Sequence, residues 1–189
     1  MNKPNNYENT TTGNYTPPAL GGHHMIIKKV EETYSQSGKP MLKVAFDFAK
    51  NDSQPEFFMN EFKNDIRPDK KWPHGGTQYI LTEDQEGNCS RSFKAFVTSF
   101  EKSNGCEAVW GEKFAEQFKN KKIGGVYGRV ENEYNGKISM RNELRWFCED
   151  GKADEAEIPA DKLLPNHGAS ASAGPSVNVP AGIDEEIPF

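Results

Sequence analysis

The chain has 189 residues, 34% hydrophobic content and a mean hydropathy of −0.83. That is enough for one domain of ordinary size with polar tails. No apolar run approaches the roughly 18 residues of a transmembrane helix, and Met1–Asn6 has no apolar stretch behind it of the kind a secretion signal carries. The net charge of −5 is unevenly spread. Residues 149–189 hold nine acidic and two basic side chains, a net of −7, whereas residues 1–148 hold nineteen and twenty-one, a net of +2. The acidity is therefore a property of the tail, and the body permits a polyanionic ligand without demanding one. Cys89, Cys106 and Cys148 are odd in number and lack C-x-x-C spacing, which points to reduced thiols in a cytosolic protein rather than a disulfide or zinc framework.

Residues 1–18 are rich in Asn, Thr and Pro and read as a disordered arm. His24–Tyr34 is rich in strand-forming residues, Ser35–Lys39 is a turn, and Met41–Lys50 alternates strictly, with Leu42, Val44, Phe46 and Phe48 on one face. These two runs predict a hairpin. Phe57–Phe62 is the candidate for a third strand, followed by a long polar stretch from Lys63 to Asn88. Phe93, Phe96, Val97 and Phe100 then fall at helical spacing behind Ser90 as N-cap, with Gly105 as the stop. A weaker helix over Glu112–Asn120 would bury Phe114 and Phe118. Two strands, Ile123–Tyr134 and Lys137–Phe147, close the domain around Asn135-Gly136, the strongest short hairpin signal.

Three strands, one or two helices and a final hairpin predict a mainly β domain over residues 19–148. The order matches a five-stranded barrel of the OB type, with its helix between strands three and four. Gly124, Gly125 and Gly128 suit strands that bend sharply in a small barrel. Another α+β sandwich with the same element order is the alternative.

Binding of single strands requires cations along the phosphates and flat rings against the bases. Alternation along the last hairpin predicts one face with Tyr127, Arg129, Lys137, Arg141 and Arg145, leaving Ile138, Met140, Leu144 and Trp146 as core. Lys43 lies on the non-core face of the second strand. The loop around Lys70, Lys71 and Trp72, with Tyr79 just after it, places a tryptophan among basic residues. The competing readings are a solvated strand face, with Glu131 and Glu143 pairing with the bases, and a Trp72 that anchors a long loop. Enzyme signatures G-x-x-x-x-G-K-[ST], H-E-x-x-H and G-x-S-x-G are missing. His23-His24 are adjacent and point to opposite faces of a strand. Asp47, Glu56, Glu61 and Asp65 lack a known metal spacing. The expectation is a non-enzymatic protein without cofactor or metal.

Residues 149–182 are acidic and then rich in Ala, Ser, Gly and Pro, as in a flexible linker, although Ile158–Pro165 has the composition of a turn able to pack back on the domain. The chain ends in Asp184-Glu185-Glu186-Ile187-Pro188-Phe189. A terminal phenyl ring beside its own carboxylate suits a pocket with a cation at its mouth, and the acidic residues suit a basic rim. Residues 183–189 are therefore the candidate partner-docking tip on a tether.

This tip resembles the C-terminal tip of bacterial single-stranded DNA-binding proteins. Residues 15–165 resemble single-stranded DNA-binding proteins of bacteriophages through Gly21-Gly22, Lys71-Trp72-Pro73, Ser92-Phe93-Lys94-Ala95-Phe96 and Asn135-Gly136-Lys137. The resemblance implies an OB-fold protein that coats single-stranded DNA in phage replication, recombination or repair. It also implies a cytoplasmic setting in the host cell, and a tip that recruits host or phage enzymes. The tetramer-forming features of the bacterial family have no match here, which leaves a homo-oligomer open. The rival expectation is an adaptor or inhibitor that mimics the tip to capture repair enzymes and does not bind DNA. A metal-dependent nuclease is a third.

Overall fold

The structure is a computed structural model, and it describes residues 16–165. The elements are β1 (Gly21–Tyr34), β2 (Pro40–Phe48), α1 (Phe57–Asn64), β3 (Thr77–Leu81), α2 (Arg91–Asn104), β4 (Lys122–Tyr134) and β5 (Lys137–Cys148). The strands form one antiparallel sheet in the order β3-β2-β1-β4-β5. Among the described residues the sheet is open, with β3 and β5 as its edges, so the five-stranded barrel expected from the element order is not closed.

The predicted hairpins are present. Tyr34 pairs with Pro40 across the first turn, and Tyr134 pairs with Lys137 across Asn135-Gly136. Both turn residues of the second hairpin have positive φ, 51° and 72°, as a tight right-twisted turn requires. The alternation of β2 is also as predicted, with Leu42, Val44, Phe46 and Phe48 all buried. Helix α2 starts where Ser90 Oγ accepts from Phe93 N at 3.1 Å and ends at Gly105 in the left-handed region. Its Phe93, Phe96, Val97 and Phe100 enter the core. The region 112–120 contributes a short 3-10 turn, Phe114–Phe118, with both phenylalanines buried.

Phe57–Phe62 is not a strand but the body of α1. Asp47 at the end of β2 decides this, because its Oδ1 accepts from Phe58 N at 2.9 Å and holds the start of a helix there. A short apolar run fits either period, and this tertiary hydrogen bond selects the helical one. The third strand is instead Thr77–Leu81, within the polar stretch, where Ile80 alone is buried.

The packed chain also exceeds its expected limits. At the N-terminal end, Pro18 is buried, its carbonyl accepts from Asn142 Nδ2 at 2.7 Å, and Ala19 N donates to Gln54 Oε1. At the C-terminal end, residues 149–164 run as a strap over the side of the sheet opposite the core. Ala153 is 1% exposed, and a Cβ on Gly22 would lie 1.8 Å from its carbonyl oxygen. Lys162 then bridges Val130 in parallel, on the edge of β4 that β1 leaves uncovered. The expected arm and linker boundaries at 18 and 148 thus fall beside or inside packed chain. Gly128 leaves room for Pro159, and Gly125 for Met25 and Leu144. These glycines serve close approach rather than barrel curvature.

Candidate nucleic-acid interface

Directly opposed residues in a ladder share a face. On the outer side of the sheet, Glu31, Lys43 and Tyr79 form one row across β1, β2 and β3. Tyr79 is 38% exposed. Lys43 Nζ is 3.7 Å from Glu31, which also receives Lys29. The hydrogen bond from Lys29 lowers the Glu31 pKa against a small desolvation, and Lys43 adds to the effect. The row is therefore charge-balanced on β1 and presents a cation beside a ring on β2 and β3.

The loop after α1 leads into β3, with its Trp72–Gly76 end on the core side of the sheet rather than beside the outer row. Arg67 grips Asp65 through Nη2 at 2.7 Å and holds its carboxyl down to about 2. Lys70 Nζ donates to the Lys63 carbonyl at 3.1 Å, at the end of α1. Lys71 is exposed, with no ion-pair partner among the described residues. Trp72 is not a free stacking platform. Its Nε1 donates to Gly76 O at 2.9 Å, and its ring packs on the core and against Phe62. The anchoring role holds, because a half-buried indole with a hydrogen-bonded N–H ties a long loop to the core.

The single basic face expected on the last hairpin does not form. Tyr127 is 1% exposed, wedged edge-on against His23 and Phe48. It is a core residue and cannot stack on a base. Arg129 opposes Asn142 and Arg141 opposes Val130, so the two arginines lie on opposite sides of the ladder. Arg145 is the extra residue of a bulge: Val126 pairs with Trp146, while Tyr127 pairs with Leu144. Its Nη1 donates to Ala160 O at 3.0 Å and Arg129 O at 3.3 Å, which fastens the strap. The bulge turns Trp146 to the outer side, where it is 45% exposed. Ile138 and Met140, also expected in the core, are 42% and 43% exposed because the hairpin extends past the body of the sheet. Only Leu144 of that set packs on the core. Lys137 and Arg141 sit on the outer side of this arm, opposite Tyr134 and Val130.

The structure therefore joins Lys43 and Tyr79 and sets the Lys70–Trp72 loop just before β3. It leaves Lys137 and Arg141 on a separate arm, with the strap over the sheet between. The partner-binding candidates Asp184, Glu185, Glu186, Ile187, Pro188 and Phe189 lie outside the described residues. Composition did not single out Glu31 as part of the Lys43 row, or Lys29 as its ion-pair partner, because only the register brings Glu31 beside Lys43.

The two histidines act structurally. His23 is 1% exposed and stacks on Phe48 at 4.0 Å, with Nδ1 3.0 Å from Asp52 and Nε2 3.0 Å from Ala19 O. His24 points to the other side, 2.9 Å from Asp150 and 3.2 Å from Asp154 of the strap. Burial opposes its charge, but the two carboxylates outweigh burial and raise its pKa. Among the described residues no group of three or more His, Cys, Asp or Glu is placed to hold a metal ion, and no helix is long and apolar enough to cross a membrane. The chain matches no protein-family model and no curated protein.

Proposed function

We propose that the protein binds single-stranded DNA and coats it, with the outer face of β2 and β3 as the contact surface. The observation that carries this is the Lys43–Tyr79 pair on one row of the outer face; Lys71, exposed in the loop before β3, adds a cation with no ion-pair partner among the described residues. A cation beside a half-exposed ring is the minimal unit for holding a phosphate and stacking its base. The strand order, with a helix between β3 and β4, supports an OB-type architecture left open at β3 and β5. Under this reading the chain acts in phage DNA replication, recombination or repair. Its terminal Asp184–Phe189 then recruits partner enzymes, a role that rests on the sequence of the tip alone.

Fluorescence anisotropy with labelled oligo-dT tests the proposal. Binding should weaken steeply with salt as counterions are released. Lys43→Ala and Lys71→Ala should each flatten the salt slope by about one unit. Tyr79→Ala should weaken binding by about 1–3 kcal/mol, roughly five- to 150-fold. Arg145→Ala should affect the strap and leave the salt slope unchanged. Absence of binding at low salt would reject the reading and leave the tip-mimicking adaptor in its place.

A further inference from the structure

We propose that the outer edge of β5 pairs with the same edge of a second copy of this chain, through residues 140–144 and about a two-fold axis at Asn142. Among the described residues strand β5 is an edge of the sheet and pairs only with β4. An uncovered edge is a template for another strand, and single edges are commonly guarded by charged side chains, prolines, bulges or an inward-pointing charge; the bulge of β5 lies at Arg145, just beyond residues 140–144. Residues 140–144, Met-Arg-Asn-Glu-Leu, contain no proline, and their charges alternate in sign instead.

Arg141 and Glu143 lie two apart, so they share the outer side of β5. Among the described residues neither has an ion-pair partner, although nearby Arg145 is engaged by the strap. In antiparallel self-pairing centred on Asn142, Arg141 of each copy faces Glu143 of the other. Two opposed pairs then form a ring of alternating charge. On the other side of the ladder, Met140 faces Leu144 of the second copy. Pairing centred one residue to either side places arginine against arginine or glutamate against glutamate, which is destabilising. The charges therefore select the register as well as the partner. An interface of five residues a side belongs to the transient class, below about 1,200 Å², so the dimer is a concentration-dependent one. This does not depend on DNA binding.

Sedimentation velocity on the full chain, over a roughly hundredfold range of concentration that spans the transient regime, tests it. The wild type should shift from monomer to dimer. Glu143→Arg and Arg141→Glu should each sediment as monomers throughout, because each places like charges opposite. An equimolar mixture of the two variants should form heterodimers, since every arginine then meets a glutamate. The double variant R141E/E143R should regain the wild-type behaviour, with circular dichroism confirming the fold of each. A wild type that stays monomeric, single variants that still dimerise, or a mixture that fails to associate would each overturn the proposal.

Discussion

Gly22 is the position where one methyl group should do most damage to the strap. A Cβ there would lie 1.8 Å from Ala153 O and 2.6 Å from its carbonyl carbon. Carbon–oxygen contacts settle at about 3.3 Å or beyond, so in Gly22→Ala the strap must retreat by roughly 1.5 Å. The contacts at risk are His24 to Asp150 at 2.9 Å, Asp150 N to Ser103 Oγ at 2.8 Å, and the burial of Ala153. Losing two hydrogen bonds costs about 2 kcal/mol and exposing a methyl about 1 kcal/mol. The reduced freedom of the unfolded chain returns a few tenths. The net loss of about 2–3 kcal/mol should lower the melting temperature by roughly 5–10 °C for a domain of this size. Gly151→Ala is the control, because nothing lies within 4 Å of its Cβ position, and it should stay within about 0.5 kcal/mol of wild type. Thermal unfolding gives the magnitude, and hydrogen exchange over residues 150–162 shows where order is lost. A Gly22→Ala protein as stable as wild type, with the strap still protected, would refute the placement of the strap.

His24 has a raised pKa in the folded protein, so its contact with Asp150 and Asp154 stabilises fully below the ordinary value of 6.5 and is lost as pH rises through the raised value. The stability difference between wild type and His24→Ala, followed by urea unfolding, should shrink over that window. At Asp47 the fold favours the neutral form, so its contribution also falls as pH rises. Burial raises its pKa against backbone hydrogen bonds led by Phe58, its Oδ2 accepts no hydrogen bond, and Lys28 is 3.8 Å away. The ionised carboxylate therefore costs stability above the raised value. Asp47→Asn should compare better with wild type at neutral pH than in acid, whereas Asp47→Ala should lose about 1–2 kcal/mol with the start of α1. Burial pushes the Cys148 thiol up to about 11, while Cys89 and Cys106 are exposed. Iodoacetamide near neutral pH should label the latter two well before Cys148, read by peptide mass spectrometry.

Local signals were strong where the chain carries its own instruction. Ser90 and Gly105 bound α2, Asn135-Gly136 turns the last hairpin, and the strict alternation of residues 42–48 assigns their faces. Each depends on neighbours a few residues away, so a single sequence displays it. The candidate site was legible only in part. Lys43 and Tyr79 share a row of the outer face, but Tyr127 reads as an exposed ring by spacing and is a core residue by packing.

The amino-acid sequence by itself determined the hairpins, the capped helix, the composition of a mainly β domain and the acidic tip. Tertiary structure alone decided that residues 57–62 are helical, that β3 lies in a polar stretch, that the strap crosses Gly22, and that the bulge at Arg145 reverses the facing of Trp146. The physical reason is common to all four. Each rests on a contact between residues far apart in the chain, such as Asp47 with Phe58 or Arg145 with Ala160, and a one-residue slip in a ladder reverses every side chain beyond it.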